Sequence, residues 1–231
     1  MSDAASVPAL PTAAIADAAL RLGVPVGHAP AALTPVLPGR TFAGVAAPVT
    51  HLGSVDVILE AIDDAPAGAV LVVDNGGRDD EACVGDLLVL EAERAGLAGI
   101  VVWGRHRDTA QLREIGLPVH SVGARSTGPL RVPPAGRALR TAVLDGVVVT
   151  DAHVVFADDD GVLVARAASV DDLVGAARAI VATEAAQAER MRSGTSLREQ
   201  LDFAGYRAAQ ASDPALTLRA HLAARGGAIE V

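Results

Sequence analysis

Gly85-Asp86-Leu87-Leu88-Val89-Leu90-Glu91-Ala92-Glu93-Arg94-Ala95-Gly96, then Leu97-Ala98-Gly99-Ile100-Val101-Val102-Trp103, then Gly104-Arg105-His106-Arg107-Asp108: the reading of this stretch decides the fold. Its first part reads as a helix opened by Gly85-Asp86 and closed by Gly96. The second reads as a buried strand that runs into a glycine turn. Such a strand delivers Arg107 and Asp108 to the loop at its carboxyl end, where ligands sit in open α/β sheets. Backbone N–H groups at the helix start, beside Asp86, favour an anion. An acid, an anion-binding helix end, a guanidinium and a second acid converge, which points to a site for a metal and a carboxylate-bearing substrate. Each residue alone has a plainer reading: Asp86 as a helix cap, Arg107-Asp108 as a solvated pair with Asp108 capping the next helix. The glycine turn and the spacing from Asp86 together carry the functional reading ahead of it.

Outward from this stretch the chain alternates strands and helices. Residues 12–22 read as a helix capped by Thr12 and ended by Gly23. Residues 42–50 read as a strand near a sheet edge because of Pro48. Residues 54–64 read as a helix with Val55, Ile58, Leu59 and Ile62 on one face. A continuous apolar run at 69–74 has strand length and ends in the turn Asn75-Gly76-Gly77. A helix at 109–115 and a strand at 119–122 continue the alternation. After Pro129 the pattern changes to short β segments at 141–144, 147–149 and 153–156. Asp158-Asp159-Asp160-Gly161 reads as a hairpin turn into Val162-Leu163-Val164. A long helix follows over 170–191, broken by Ser193-Gly194, and a helical tail has Pro214 opening a last helix that closes at Gly226-Gly227. This organisation predicts an α/β domain over residues 1–192 and a helical C-terminal tail over 193–231, packing on the same or a neighbouring subunit.

A chain of 231 residues buries roughly 70% of its unfolded surface and folds without disulfides or a structural metal. Its single cysteine, Cys83, allows no intrachain disulfide, and with an N-terminus lacking a basic and apolar leader it predicts a cytoplasmic protein. No apolar stretch approaches the ~20 residues that cross a bilayer. The net charge of −9 and an aromatic content of 2% argue against nucleic-acid binding, which needs basic surface and stacking platforms. A local arginine still accommodates a small anionic substrate.

Asp79-Asp80-Glu81 reads as a solvated loop rather than an ion site. Asp158-Asp159-Asp160-Gly161 lacks the distal glutamate of a calcium loop. The histidines show no zinc-ligand spacing, and Cys83 has no partner cysteine. Phosphate-binding glycine loops and nucleophile-elbow signatures are absent. The chain contains no lysine, which excludes Schiff-base aldolase chemistry.

Gly85-Asp86, the Ala98-Gly99-Ile100-Val101-Val102 strand and Gly104-Arg105-His106-Arg107-Asp108 together resemble the RraA-like family. That family includes class II aldolases acting on 4-hydroxy-4-methyl-2-oxoglutarate and 4-carboxy-4-hydroxy-2-oxoadipate, and regulators of ribonuclease E. The helix at Thr12 to Asp17, Leu117-Pro118-Val119 and Asp158-Asp159-Asp160-Gly161-Val162 support the resemblance, which covers about Thr12 to Met191. It implies a three-layer β/β/α sandwich of the swivelling-domain type, assembled as a homotrimer or a hexamer with sites between subunits. By resemblance, Asp108 ligates Mg²⁺ or Mn²⁺ through a shell of waters, and Arg107 binds the keto-acid end and stabilises the enolate. Asp86 orients a water that acts as acid and base, while Gly85 and the amides of Leu87 and Leu88 hold the substrate carboxylate. A Lewis-acid metal suits a chain without lysine. The chain departs from the family at Trp103, at His106 and at Asp151-Ala152-His153, where relatives carry Pro-Gly-Asp.

The expected function is therefore a divalent-metal-dependent lyase that cleaves a 4-hydroxy-2-oxo acid to pyruvate, or decarboxylates oxaloacetate through the same enolate. The alternative is a non-catalytic regulator that binds a ribonuclease or helicase. The long tail after Ser193 favours the enzyme, because the family's regulators are shorter at that end. A lyase or isomerase on another oxo acid is a weaker third reading, suggested by Trp103 and His106.

Overall fold

The computed structural model describes residues 7–131 and 140–224. In chain order the elements begin with α1 (Thr12–Leu22), β1 (Gly27–His28), β2 (Thr34–Pro35), β3 (Phe42–Thr50), α2 (Asp56–Asp64) and β4 (Val70–Asp74). There follow β5 (Ala82–Val84), α3 (Asp86–Arg94), β6 (Gly99–Trp103), β7 (Arg105–His106), α4 (Thr109–Ile115) and β8 (Val119–Ser121). The rest comprises β9 (Ala142–Leu144), β10 (Val147–Val149), β11 (His153–Asp158), β12 (Gly161–Arg166), a 3₁₀ turn (Ala167–Ser169), α5 (Val170–Arg192), α6 (Leu197–Gln200), α7 (Phe203–Ser212) and α8 (Leu218–Ala224). The chain divides into two compact units, residues 1–177 and 178–231.

In the first unit the described strands form an eight-stranded sheet of order β1-β12-β11-β3-β4-β6-β8-β2. β3, β4, β6 and β8 run parallel, and β11, β12, β1 and β2 add antiparallel flanks. β4 is buried along its whole length, as expected of a parallel strand covered on both faces. Its alternation divides two cores. Leu71 and Val73 point with Val49, Ile100 and Val102 to the helix side, against Val57, Ile58 and Ile62 of α2, Val89 and Ala92 of α3 and Leu112 of α4. Val70 and Val72 point with Phe42, Ala46 and Val101 to the other side, against Ala142, Leu144 and Val149 of the β9–β10 hairpin. Helices, sheet and hairpin make the three-layer β/β/α sandwich that the resemblance implied.

Several expectations are corrected. β3 is central, not an edge strand. Pro48 is accommodated because β11 pairs only with Phe42 to Val45, so Pro48 has a strand partner, Val72 of β4, on one side alone. Thr12 does not cap α1, whose N-cap is Pro11. Instead its N–H and hydroxyl donate to the two Asp158 oxygens at 2.7 and 2.6 Å, tying the helix start to the β11–β12 turn. α2 buries Val57, Ile58 and Ile62, whereas Val55 and Leu59 are 41% and 44% exposed. Glu81 is completely buried rather than solvated.

In the second unit α7 and α8 pack through Tyr206 and His221, whose rings lie 5.7 Å apart. Ser196 and Glu199 form a reciprocal capping box at α6. The expected helix end at Gly226-Gly227, and the N-terminal residues read for a leader, lie outside the described residues. Among the described residues no helix is long and apolar enough to cross a membrane.

Candidate functional site

The site is built where β6 gives way to α4. After Trp103 the chain turns at Gly104 and forms β7, which pairs with β5 in a short parallel ribbon that the sequence did not announce. The Arg107 N–H then donates to Val84 O at 2.9 Å, which fixes Arg107 beside Gly85 at the mouth of α3. Asp108 follows with φ 60° and ψ 40°, a left-handed backbone that costs a non-glycine residue about 1–3 kcal/mol. It occupies the N-cap position of α4 yet makes no side-chain cap bond. Its Oδ2 instead lies 3.3 Å from Arg107 Nε and 3.4 Å from the Asp86 amide nitrogen. The capping reading of Asp108 is thereby corrected: its carboxylate is turned back to the helix that precedes it.

Gly85 is the N-cap of α3, and Asp86 is the first helical residue. A Cβ at Gly85 would stand 2.7 Å from Asp108 Oδ2 and 3.0 Å from Arg107 Nε, so only glycine permits the approach of the pair. Asp86 Oδ1 accepts the Leu87 N–H at 2.8 Å, and so occupies one of the two amides expected to receive a substrate carboxylate. A cleft of about 410 Å³ adjoins these groups, lined by Gly85, Asp86, Leu87, Leu88 and Arg107 together with Val55, Leu59, Glu91, β5 and Pro129. That volume suits a small organic acid. All six residues read from the sequence as site residues thus lie together: five line the cleft, and Asp108 touches two of them.

Residues that sequence reading missed support this arrangement. Val55, the N-cap residue, and Leu59, one helical turn on, form the exposed edge of the apolar face that carries Ile58 and Ile62, and this edge lines the cleft. Glu81 Oε1 accepts from Arg131 Nη2 at 2.6 Å and Nε at 3.0 Å, while Oε2 accepts the Leu130 N–H at 3.1 Å. This clasp, with the Ala82 N–H donating to Thr127 O at 2.7 Å, holds the segment carrying Gly128 and Pro129 against β5. A Cβ at Gly128 would lie 2.8 Å from Arg107 Nη1, so the clasped segment abuts the guanidinium.

Burial disfavours charge on Glu81, but the hydrogen bonds of Arg131 and Leu130 and the charges of Arg131 and Arg78 prevail and hold its carboxyl below the ordinary value. His106 is buried, with Nδ1 2.6 Å from Ser121 Oγ and Nε2 2.9 Å from Thr109 Oγ1. Burial, then the charges of Arg113 and Arg105, lower its pKa, which favours the neutral ring. Trp103 packs on the hairpin-side core and is not among the residues lining the cleft. Burial pushes the Cys83 thiol up to about 12, so this cleft residue stays protonated and is no nucleophile.

Among the described residues, no three His, Cys, Asp or Glu side chains gather into a metal cage. Asp108 offers a partly exposed carboxylate whose Oδ1 has no protein donor among the described residues. One oxygen donor open to water suits a hard, hydrated cation such as Mg²⁺ or Mn²⁺ and not a histidine- or thiolate-bound ion.

Residues 12–164 match the family model described as RraA-like, Aldolase/RraA. The chain is 34% identical over 139 residues to Protein DlpA of Legionella pneumophila, a match covering 60% of this chain and 22% of that protein. It is 36% identical over 111 residues to an Alkalilimnicola ehrlichii protein named "Putative 4-hydroxy-4-methyl-2-oxoglutarate aldolase", covering 47% of this chain and 67% of that one. Streptomyces coelicolor RraAS2, described as an unusual member of the RNase ES inhibitor RraA protein family, matches in structure with a TM-score of 0.64 and 26% identity, over 79% of this chain and 90% of that one.

Proposed function

Because the chain belongs to the RraA-like family, we propose that it is a divalent-metal-dependent lyase that cleaves a 4-hydroxy-2-oxo acid to pyruvate and a second carbonyl compound. The observation that carries this reading is the meeting of Asp86, Arg107 and Asp108 at the amino end of α3, beside a cleft of substrate size. Aldol cleavage needs a base for the 4-hydroxyl proton, an acceptor for the electrons of the breaking C3–C4 bond, and a proton for C3 of the enolate. Asp86 would orient a water that takes the first proton and returns one to C3. Arg107 presents a guanidinium to the 2-oxo oxygen, where negative charge develops. The substrate carboxylate meets the α3 amides, with the Leu87 N–H released by rotation of the Asp86 side chain. Asp108 would hold Mg²⁺ or Mn²⁺, which supplies Lewis-acid stabilisation of the enolate oxygen. Decarboxylation of oxaloacetate leaves the same enolate and would follow from the same groups.

The test is pyruvate release from a panel of 4-hydroxy-2-oxo acids and oxaloacetate. Turnover should vanish on chelation and return with Mg²⁺ or Mn²⁺. Full activity in excess chelator, or in Asp108→Ala, would refute the metal assignment. A second reading, a non-catalytic regulator of a ribonuclease, draws on the likeness to RraAS2. Absence of pyruvate from the whole panel, with binding to a ribonuclease, would establish it instead.

We also propose a homo-oligomer, a trimer or a hexamer, in which the helical tail packs on the same or a neighbouring subunit. Leu87 at the cleft mouth is 78% exposed and Val148 on the hairpin 55%, apolar surface that association would cover. Light scattering should report three or six chains at micromolar concentration, and a stable monomer would contradict the proposal.

A further inference from the structure

We infer that His106 is a positioning residue for Asp108: its imidazole bridges β8 to the start of α4 and so keeps the Asp108 carboxylate turned toward α3. The inference rests on the reading of Asp108 as the residue that holds the metal. Two conformations compete at Asp108. In the extended backbone usual at an N-cap, its carboxylate would accept from the amides of Ala110 or Gln111 in its own helix. In the left-handed conformation that it adopts, the cap is unmade and Oδ2 lies 3.3 Å from Arg107 Nε. A strained backbone persists only where its surroundings over-determine it.

The surroundings that do so are on the page residue by residue. Before the bend, β7 is held on both sides, the His106 N–H donating to Gly123 O at 3.0 Å and the Arg107 N–H to Val84 O at 2.9 Å. After it, the Leu112 N–H donates to Asp108 O at 3.0 Å and closes the first turn of α4. The side-chain contact that spans the bend is His106 Nε2 to Thr109 Oγ1 at 2.9 Å, which closes His106 on the first residue of α4 around Asp108. The other ring nitrogen, Nδ1, stands 2.6 Å from Oγ of Ser121, a residue 1% exposed on β8, between β6 and β2. Ser121 Oγ also accepts the Gly123 N–H at 3.2 Å. In either neutral tautomer one ring nitrogen donates and the other accepts, so a single imidazole satisfies both hydroxyls. The start of α4 is thereby tied to an interior strand, and the length of the ring sets the spacing across Asp108. An apolar side chain at this position would break the tie and leave Asp108 free to relax into the cap.

The experiment is titration of the intact protein with Mn²⁺ alone, the free ion read by electron paramagnetic resonance, beside thermal melts. Thr109→Ala removes the bridge while leaving the buried ring in place. It should weaken Mn²⁺ binding roughly tenfold or more, the scale of losing an outer partner of a metal ligand. The melting temperature should change little, because alanine suits a helix and the released Asp108 gains a cap. Thr109→Ser, which keeps the hydroxyl, should bind as the wild type does. His106→Gln, whose amide reaches the place of Nε2, should keep more affinity than His106→Asn, whose amide reaches only that of Nδ1. Adding His106→Asn to Thr109→Ala should cost no further affinity, since both act through one contact. Equal losses in Thr109→Ala and Thr109→Ser, or a loss in step with a falling melting temperature, would overturn the inference. Mn²⁺ binding that needs Asp108 but is indifferent to Thr109→Ala would refute this role of His106 alone. No Mn²⁺ binding by the wild type, or binding that Asp108→Ala leaves intact, would refute the metal reading and this role with it.

Discussion

Arg107→Ala is expected to lower kcat/KM for pyruvate release by roughly 10²–10³, the scale of losing one preorganised donor to a developing oxyanion. Its side chain is 47% exposed and its backbone N–H bond to Val84 O survives the substitution, so the melting temperature should change little. Arg107→Lys should rescue little, because a point charge cannot reproduce the planar fork of a guanidinium. Gly85→Ala should cause a loss of similar size with every charge retained, since its Cβ would stand 2.7 Å from Asp108 Oδ2 and 3.0 Å from Arg107 Nε. Steady-state kinetics beside thermal melts decide the matter. Wild-type kcat/KM in Arg107→Ala would remove Arg107 from the chemistry. A loss of activity that tracks a fall in melting temperature would make it a structural residue.

The parts of this protein that were legible in its sequence are those encoded locally. The run Val70 to Val73 and the segment from Ile100 to Val102 are buried on both faces of the sheet, so their apolar continuity reports their position directly. Gly85 to Asp108 lies within one strand–helix–strand unit, and short-range connection alone places Asp86 beside Asp108. What depends on distant partners stayed hidden. Pro48 suggested an edge because nothing local discloses that β11 stops at Val45. Thr12 has a cap's chemistry, but its acceptor, Asp158, is 146 residues away. The β5–β7 ribbon that sets Arg107 is too short for any periodicity. Val55 and Leu59 share one helical face with Ile58 and Ile62, and periodicity does not disclose that their edge of that face stays 41% and 44% exposed and lines the cleft. His106 departs from the family pattern, yet its hydroxyl partners on β8 and α4 place it behind the site and not in the cleft.

Glu81 shows the same limit at higher energetic stakes, for it sits in an acidic run and its partners Leu130 and Arg131 are 49 and 50 residues away. Glu81→Ala is expected to destabilise the protein by about 3 kcal/mol, the low end for breaking a buried ion pair. The low end applies because Arg131 is 32% exposed and can turn its freed guanidinium to water. Glu81→Gln should cost less, since the amide oxygen still accepts one hydrogen bond. The pH dependence separates the charge from the shape. The folded-state pKa of Glu81 lies below its unfolded value, so its charge contributes stability that is fully present above the unfolded pKa and lost as pH falls through the folded one. The stability gap between wild type and Glu81→Gln should therefore hold from pH 7 down to about 4.3 and then shrink on further acidification. Denaturant melts across that range measure it. A gap that stays constant down to pH 3 would mean that Glu81 acts by packing and hydrogen-bond geometry, and that its charge contributes nothing to holding Gly128 and Pro129 over Arg107.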